Sequence, residues 1–147
     1  MSHDALAAFK AYWETLSAES VARLREVYTD DAYFRDPFNE VRGAAALERV
    51  FAHMFETLEA PTFVIRETLL EGDAAVLIWD FTFRVRRWKP NVARNIHGCS
   101  HVRFAPDGRV SCHRDYWDAA GELYATLPVI GPLVRWLTRK MGSDPIF

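Results

Sequence analysis

Cysteine is scarce in this sequence. There are two, Cys99 and Cys112, and their spacing fits neither a zinc site nor a redox-active dithiol. A reduced, cytoplasmic setting is therefore the expectation. Glycine is scarce too. The seven glycines are scattered, so there is no glycine-rich phosphate loop and no nucleotide cofactor is expected. A Gly-x-Ser-x-Gly elbow is absent, which argues against covalent hydrolase chemistry. Neither sign of charge dominates: the formal net charge of −2 lacks the basic excess of a nucleic-acid binder. No apolar run approaches the ~18–20 residues of a membrane span. The opening MSHDALAAFKAYW has no basic flank ahead of an apolar stretch and does not read as a signal peptide. Internal repeats and low-complexity segments are also missing.

What is present is apolar surface. Half of the 147 residues are apolar or aromatic, enough for one domain with a real core. Leu6, Phe9, Trp13 and Leu16 form one stripe and predict a first helix from about Asp4, its candidate cap, to Leu16. Val21, Leu24 and Tyr28 predict a second, short helix. "AYFRDP" reads as a short strand stopped by Pro37. Gly43 precedes a third helix with Leu47, Val50, Phe51, Met54 and Leu58 on its apolar face, closed by Pro61. The period then changes to two. "TFVIRETLLEG", "AAVLIWDFTFRVRR", "ARNIHGCSHVRF" and "VSCHRDYWD" read as four strands. Gly72-Asp73, "WKPN" and "APDGR" supply the turns. Long strands with short turns favour an antiparallel meander, and helices gathered on one face of it make an α+β domain. A curved sheet with helices across its mouth encloses a cavity, where small molecules bind.

One stretch stands out. "HRDYWD" places His113, Asp115 and Trp117 at alternate positions, on one face of a strand. Facing solvent, this row would be ordinary. Facing a cavity, it would handle protons.

The element order resembles the nuclear transport factor 2-like superfamily, which includes ketosteroid isomerases, SnoaL-type polyketide cyclases and limonene-epoxide hydrolases. "YTDDAYFRDPF" is similar to the isomerases' acidic turn, strand and Asp-Pro segment. "SHVRFAPDGRV" is similar to their penultimate strand and hairpin, and "RDYWD" to the epoxide hydrolases' last strand. The resemblance spans about Ala5 to Asp118. It implies a cone-shaped, strongly curved antiparallel sheet over residues 1–118, with three helices from the N-terminal half closing a pocket. Residues 119–147 are then a helical tail packing on the domain or on a partner subunit.

Carried over position by position, Asp36 matches the isomerases' general base and Tyr12 their oxyanion-binding tyrosine. Ser100 stands where their protonated aspartic acid would be. Asp115 and Asp80 match the two catalytic carboxylates of the epoxide hydrolases, while Ile78 replaces the arginine that bridges them. Asp115 also matches the cyclases' acid/base. The resemblance turns His113, Asp115 and Trp117 inward, with Ser100, Ile78, Phe34 and Val102 as further substrate-binding positions. It implies no cofactor and no metal.

Carboxylates gathered in an apolar cavity favour holding a proton, which supplies acid and base in one place. His113 could orient Asp115, share its proton or act as base. Tyr12 could donate to a developing oxyanion, and Trp117 could contact a carbon-rich ligand. The expected function is therefore acid/base chemistry on a small, mostly apolar molecule: isomerisation, cyclisation or epoxide opening. The alternative is a protein that binds a lipid-like or polyketide-like ligand without transforming it.

One strand carries two conflicting signals. Leu77, Trp79, Phe81 and Phe83 alternate with Ile78, Asp80, Thr82 and Arg84. Pattern alone buries the aromatic row and leaves Asp80 in solvent. The resemblance turns Asp80 inward, provided a partner subunit or the tail covers the aromatic row. That covered row, with His97, Cys99 and His101 beside it, is the basis for expecting a homodimer. His97, Cys99 and His101 are spaced roughly 6.5–7 Å apart along a strand and cannot easily close on one ion. The tail's LVRWLTRKM is basic and amphipathic. It could touch an anionic membrane surface, but packing is the preferred reading. Pro128 and Pro132 are expected to break it in two.

Overall fold

The computed structural model describes residues 2–143. Helix α1 (Ser2–Glu14) buries Ala5, Leu6, Phe9, Tyr12 and Trp13 along one stripe. It starts ahead of Asp4, which therefore lies in the first turn, where its charge complements the helix dipole. A 3-10 helix over Ser20–Glu26 buries Val21 and Leu24. It stops short of Tyr28, which belongs instead to strand β1 (Tyr28–Arg35). The β-prone run Val27-Tyr28-Thr29 outweighs the helical spacing there.

β1 turns into a short strand, β2 (Glu40–Arg42), that the sequence did not suggest, pairing Tyr33 with Arg42 and Arg35 with Glu40. Helix α2 (Ala44–Thr57) follows Gly43, whose φ of 101° and ψ of 142° lie where only glycine is comfortable. Gly43→Ala should therefore destabilise the fold by about 1–3 kcal/mol through backbone strain alone. A Cβ there would meet nothing closer than the Asp30 carbonyl at 3.8 Å, so no clash confuses the reading. An unchanged midpoint in urea denaturation would disprove it.

Three long strands form the meander: β3 (Leu58–Glu71), β4 (Ala74–Val85) and β5 (Arg94–Phe104). β3 begins directly after α2 and contains Pro61. Proline is tolerated because β3 is an edge strand and its register with β4 shifts between Glu59 and Thr62. The hairpin after Phe104 leads into β6 (Val110–Trp117). The strand order is β2-β1-β6-β5-β4-β3, giving a curved, unclosed six-stranded sheet in an α+β fold. The sheet is not a pure meander, since β6 runs parallel to β1, pairing His113 with Phe34.

Register decides the faces. Leu77 pairs with Ser100 and Phe81 with Ile96, and all four are buried. Trp79 and Phe83 share their face. The opposite face pairs Ile78 with Cys99 and Asp80 with His97. The aromatic row thus faces the core, where Trp79 meets Phe63 edge-on and Phe81 stacks on Phe63 and Phe83. Burying each such ring contributes roughly 1.5–3 kcal/mol, while Asp80 loses nothing by staying near solvent. The inward placement of Asp80 and Ile78 is corrected accordingly. With it goes the aromatic outer face from which a homodimer was argued.

Residues 117–143 form a second compact unit. Asp118 caps α3 (Ala119–Glu122), accepting from the Gly121 N–H at 2.8 Å. Helix α4 (Ile130–Met141) includes Pro132 in its first turn, where no N–H is needed, so the expected break there does not occur. Among the described residues no helix is long and apolar enough to cross a membrane.

Candidate functional site

Strand β6 points His113 and Asp115 to the core side, as alternation and the inward frame require. His113 is 1% exposed and sits among the rings of Phe9, Trp13, Tyr28 and Phe34, with centroids 4.9–5.9 Å away. A polar ring buried this deeply must satisfy both nitrogens. Tyr28 Oη lies 2.6 Å from His113 Nδ1, and Asp115 Oδ1 lies 2.6 Å from Nε2.

The donors fix the direction of these bonds. An indole N–H can only donate. Trp13 Nε1 donates to Tyr28 Oη at 3.1 Å, so the Tyr28 hydroxyl hydrogen is left for His113 Nδ1. A neutral imidazole then carries its hydrogen on Nε2 and donates it to Asp115 Oδ1. A second chain converges from the other side. Trp79 Nε1 donates to Ser100 Oγ at 2.9 Å, and the Ser100 hydroxyl donates to the same Asp115 Oδ1 at 2.6 Å. Two relays, each beginning at an indole, end on one carboxylate oxygen. Such an arrangement suits an ionised, accepting carboxylate. Burial and the nearby Asp115 charge push the Tyr28 phenol well above its ordinary pKa, so it keeps the proton it donates.

Asp115 Oδ2 accepts no hydrogen bond among the described residues, and the Asp115 side chain is 13% exposed. Asp115 and Ser100 are the polar members of a cavity wall completed by Phe9, Trp13, Phe63, Ile65, Leu77 and Trp79. The space is small, about 260 Å³ with its opening to solvent included.

The other expected site residues lie elsewhere. Tyr12 donates to the Ser20 carbonyl at 2.9 Å, tying α1 to the following 3-10 helix, and burial pushes its phenol up to about 12. It is buried on the stripe of α1, but its hydroxyl is used by the backbone and does not reach the cavity wall. Asp36 closes the β1–β2 turn, with Oδ1 accepting from the N–H groups of Phe38 (2.8 Å) and Asn39 (2.6 Å). Burial raises its pKa against those bonds, with a smaller upward push from Asp115. It is not in the wall. Asp80 is ion-paired on the outer face, 2.8 Å from Arg66 Nε and 2.8 Å from His97 Nδ1. These partners hold its carboxyl below the usual range. Asp80→Asn should leave any activity of the cavity unchanged, and a large loss in a turnover assay would contradict this placement. Phe34 and Val102 are buried core residues; Phe34 packs on His113. Trp117 is the last residue of β6.

Three members of the hydrogen-bond relays escaped the sequence: Tyr28, Trp13 and Trp79. The local cue for Tyr28 was its β-prone neighbours. For Trp79 the cue is the alternation itself, which places the aromatic row inward.

Comparison with known proteins agrees with the fold. The family model described as "SnoaL-like domain" matches residues 9–113. No curated protein matches the chain in sequence. Among solved structures, an M. tuberculosis LEH-like epoxide hydrolase is 18% identical, with a TM-score of 0.69 covering 92% of this chain and 97% of that one. A putative SnoaL-like polyketide cyclase from Shewanella denitrificans is 17% identical, with a TM-score of 0.66 over 83% and 96%. A hypothetical protein with a ketosteroid isomerase-like fold from Catenulispora acidiphila, solved in complex with trimethylamine, is 13% identical. Its TM-score is 0.68, over 81% and 88%. At these identities the likeness is one of fold. With the family model matching well over half of its length, the chain belongs to the SnoaL-like domain family.

Proposed function

We propose that the protein is a cofactor-independent acid/base enzyme acting on a small molecule of mostly apolar surface, with Asp115 as its general base. One observation carries this reading. Asp115 meets an aromatic cavity with Oδ1 held by two donors and Oδ2 unused. A fixed carboxylate with one oxygen in reserve can take a proton from carbon or water without reorganising. His113 is its positioning partner. A single carboxylate can also return the proton elsewhere on the same molecule, which is the minimum an isomerisation needs. Epoxide opening of the two-carboxylate kind has less support, because Asp80 and Ile78 lie on the outer face.

A non-catalytic binding role has one observation in its favour. Each polar hydrogen of the wall is donated within the network: Trp13 to Tyr28, Trp79 to Ser100, Ser100 to Asp115. None is left for an oxyanion. The two readings separate in a turnover screen across isomerisable enones, cyclisable polyketide mimics and epoxides, run with wild type and Asp115→Asn. Turnover that disappears in the variant supports the enzyme. Binding without turnover, shared by both proteins, supports the holder.

A further inference from the structure

We infer that the ligand of this cavity is a small organic cation, an alkylated ammonium or iminium. The inference rests on the proposed reading of Asp115 as an ionised carboxylate and narrows it to a substrate class.

The charge of the wall is the first argument. Asp115 is the one ionisable residue among those lining the cavity. Its two donors are the Ser100 hydroxyl and the imidazole, which is neutral in the tautomer that accepts from Tyr28 at Nδ1. The wall therefore carries a net negative charge, with Oδ2 available to a ligand. A cation would pair with it directly.

The rings are the second. Trp13 and Phe63 meet at 83° with centroids 4.8 Å apart, and Phe63 and Trp79 at 89° and 5.4 Å. Phe63 stacks on Phe81 at 4.2 Å and meets both indoles edge to face, so Trp13 and Trp79 each stand at right angles to it along the cavity. Aromatic boxes with a carboxylate attract alkylated ammonium groups through the ring quadrupoles, and their alkyl groups also suit Ile65 and Leu77.

The third argument is the missing donor. A carbonyl or epoxide oxygen, which can only accept, would find no free N–H or O–H in the wall and would pay an unpaired-group penalty. An ammonium carries no acceptor to satisfy. If Oδ2 removes a proton beside an iminium, the released electron pair neutralises the ligand's own charge, so no oxyanion hole is required.

The test titrates the full-length protein with tetramethylammonium chloride and, at matched ionic strength, with tert-butanol, a neutral probe of similar shape. The Trp13 and Trp79 indole N–H resonances are followed by NMR. The expected result is saturable shifts with the cation, at least 10-fold tighter than with the neutral probe. Asp115→Asn should abolish that preference while its spectrum stays folded. Equal or tighter binding of tert-butanol by wild type, no response to the cation, or a preference that survives in Asp115→Asn overturns the inference. The outcome is separable from the acid/base reading. Turnover of a neutral substrate with no cation binding sinks the ligand class alone, and cation binding with no turnover of any amine or iminium sinks the enzyme alone.

Discussion

Asp115→Asn is expected to lower kcat by about 10²–10⁴-fold, the usual worth of a positioned general base, while the protein remains folded. Asparagine keeps the carbonyl oxygen that accepts from Ser100 and His113, so both relays retain their terminus. What changes is the other position: an unused carboxylate oxygen becomes an amide N–H₂ with no basicity. For a neutral ligand the loss should fall on kcat more than on KM, because the apolar wall is untouched; for a cationic ligand KM should rise as well, because Asp115 also supplies the pairing charge. Asp36→Asn is the matched control. Its carboxylate serves the β1–β2 turn, and an asparagine can accept the same backbone N–H groups, so kcat should stay near wild type. Steady-state kinetics on whichever substrate the screen finds, with circular dichroism as the fold check, would decide. Undiminished turnover in Asp115→Asn removes the base from this site.

Much of this arrangement is written locally. The change from a 3.6-residue to a 2-residue period divides the helices from the strands, and the turns at Gly72 and Gly108 fall where the residues suggest. The alternation of His113 and Asp115 is visible at once. What local pattern does not carry is the parallel pairing of β6 with β1, which joins segments some eighty residues apart. Tyr28 was lost for that reason: its role exists only after β1 lies beside β6. Asp80 is the instructive error. Two cues disagreed on its face, and the physical one was right. Four apolar side chains, Leu77, Trp79, Phe81 and Phe83, outweigh an aligned carboxylate, because their burial drives folding while Asp80 gains solvent, Arg66 and His97 on the outside.

His113→Ala should destabilise the protein by about 3–5 kcal/mol, the range for removing a large buried ring. The imidazole fills the space between four aromatic side chains, and its loss also strands the Tyr28 hydroxyl at a fully buried position. Tyr28→Phe should cost less, about 1–3 kcal/mol, since it leaves Trp13 Nε1 and His113 Nδ1 unpaired but keeps the ring. Urea denaturation measures both. The pH dependence separates them further. The folded-state pKa of Tyr28 is raised above the ordinary tyrosine value of about 10, so above that pH the native state holds a proton that the unfolded chain has released. Stability from this group is intact below about pH 10 and declines as pH rises toward the higher folded value. Tyr28→Phe should remove that share of the alkaline decline while lowering stability at neutral pH, so the two curves converge at high pH. Parallel curves would mean that Tyr28 does not hold its proton against solvent. The polarity of the relay ending on Asp115 would then have to be redrawn.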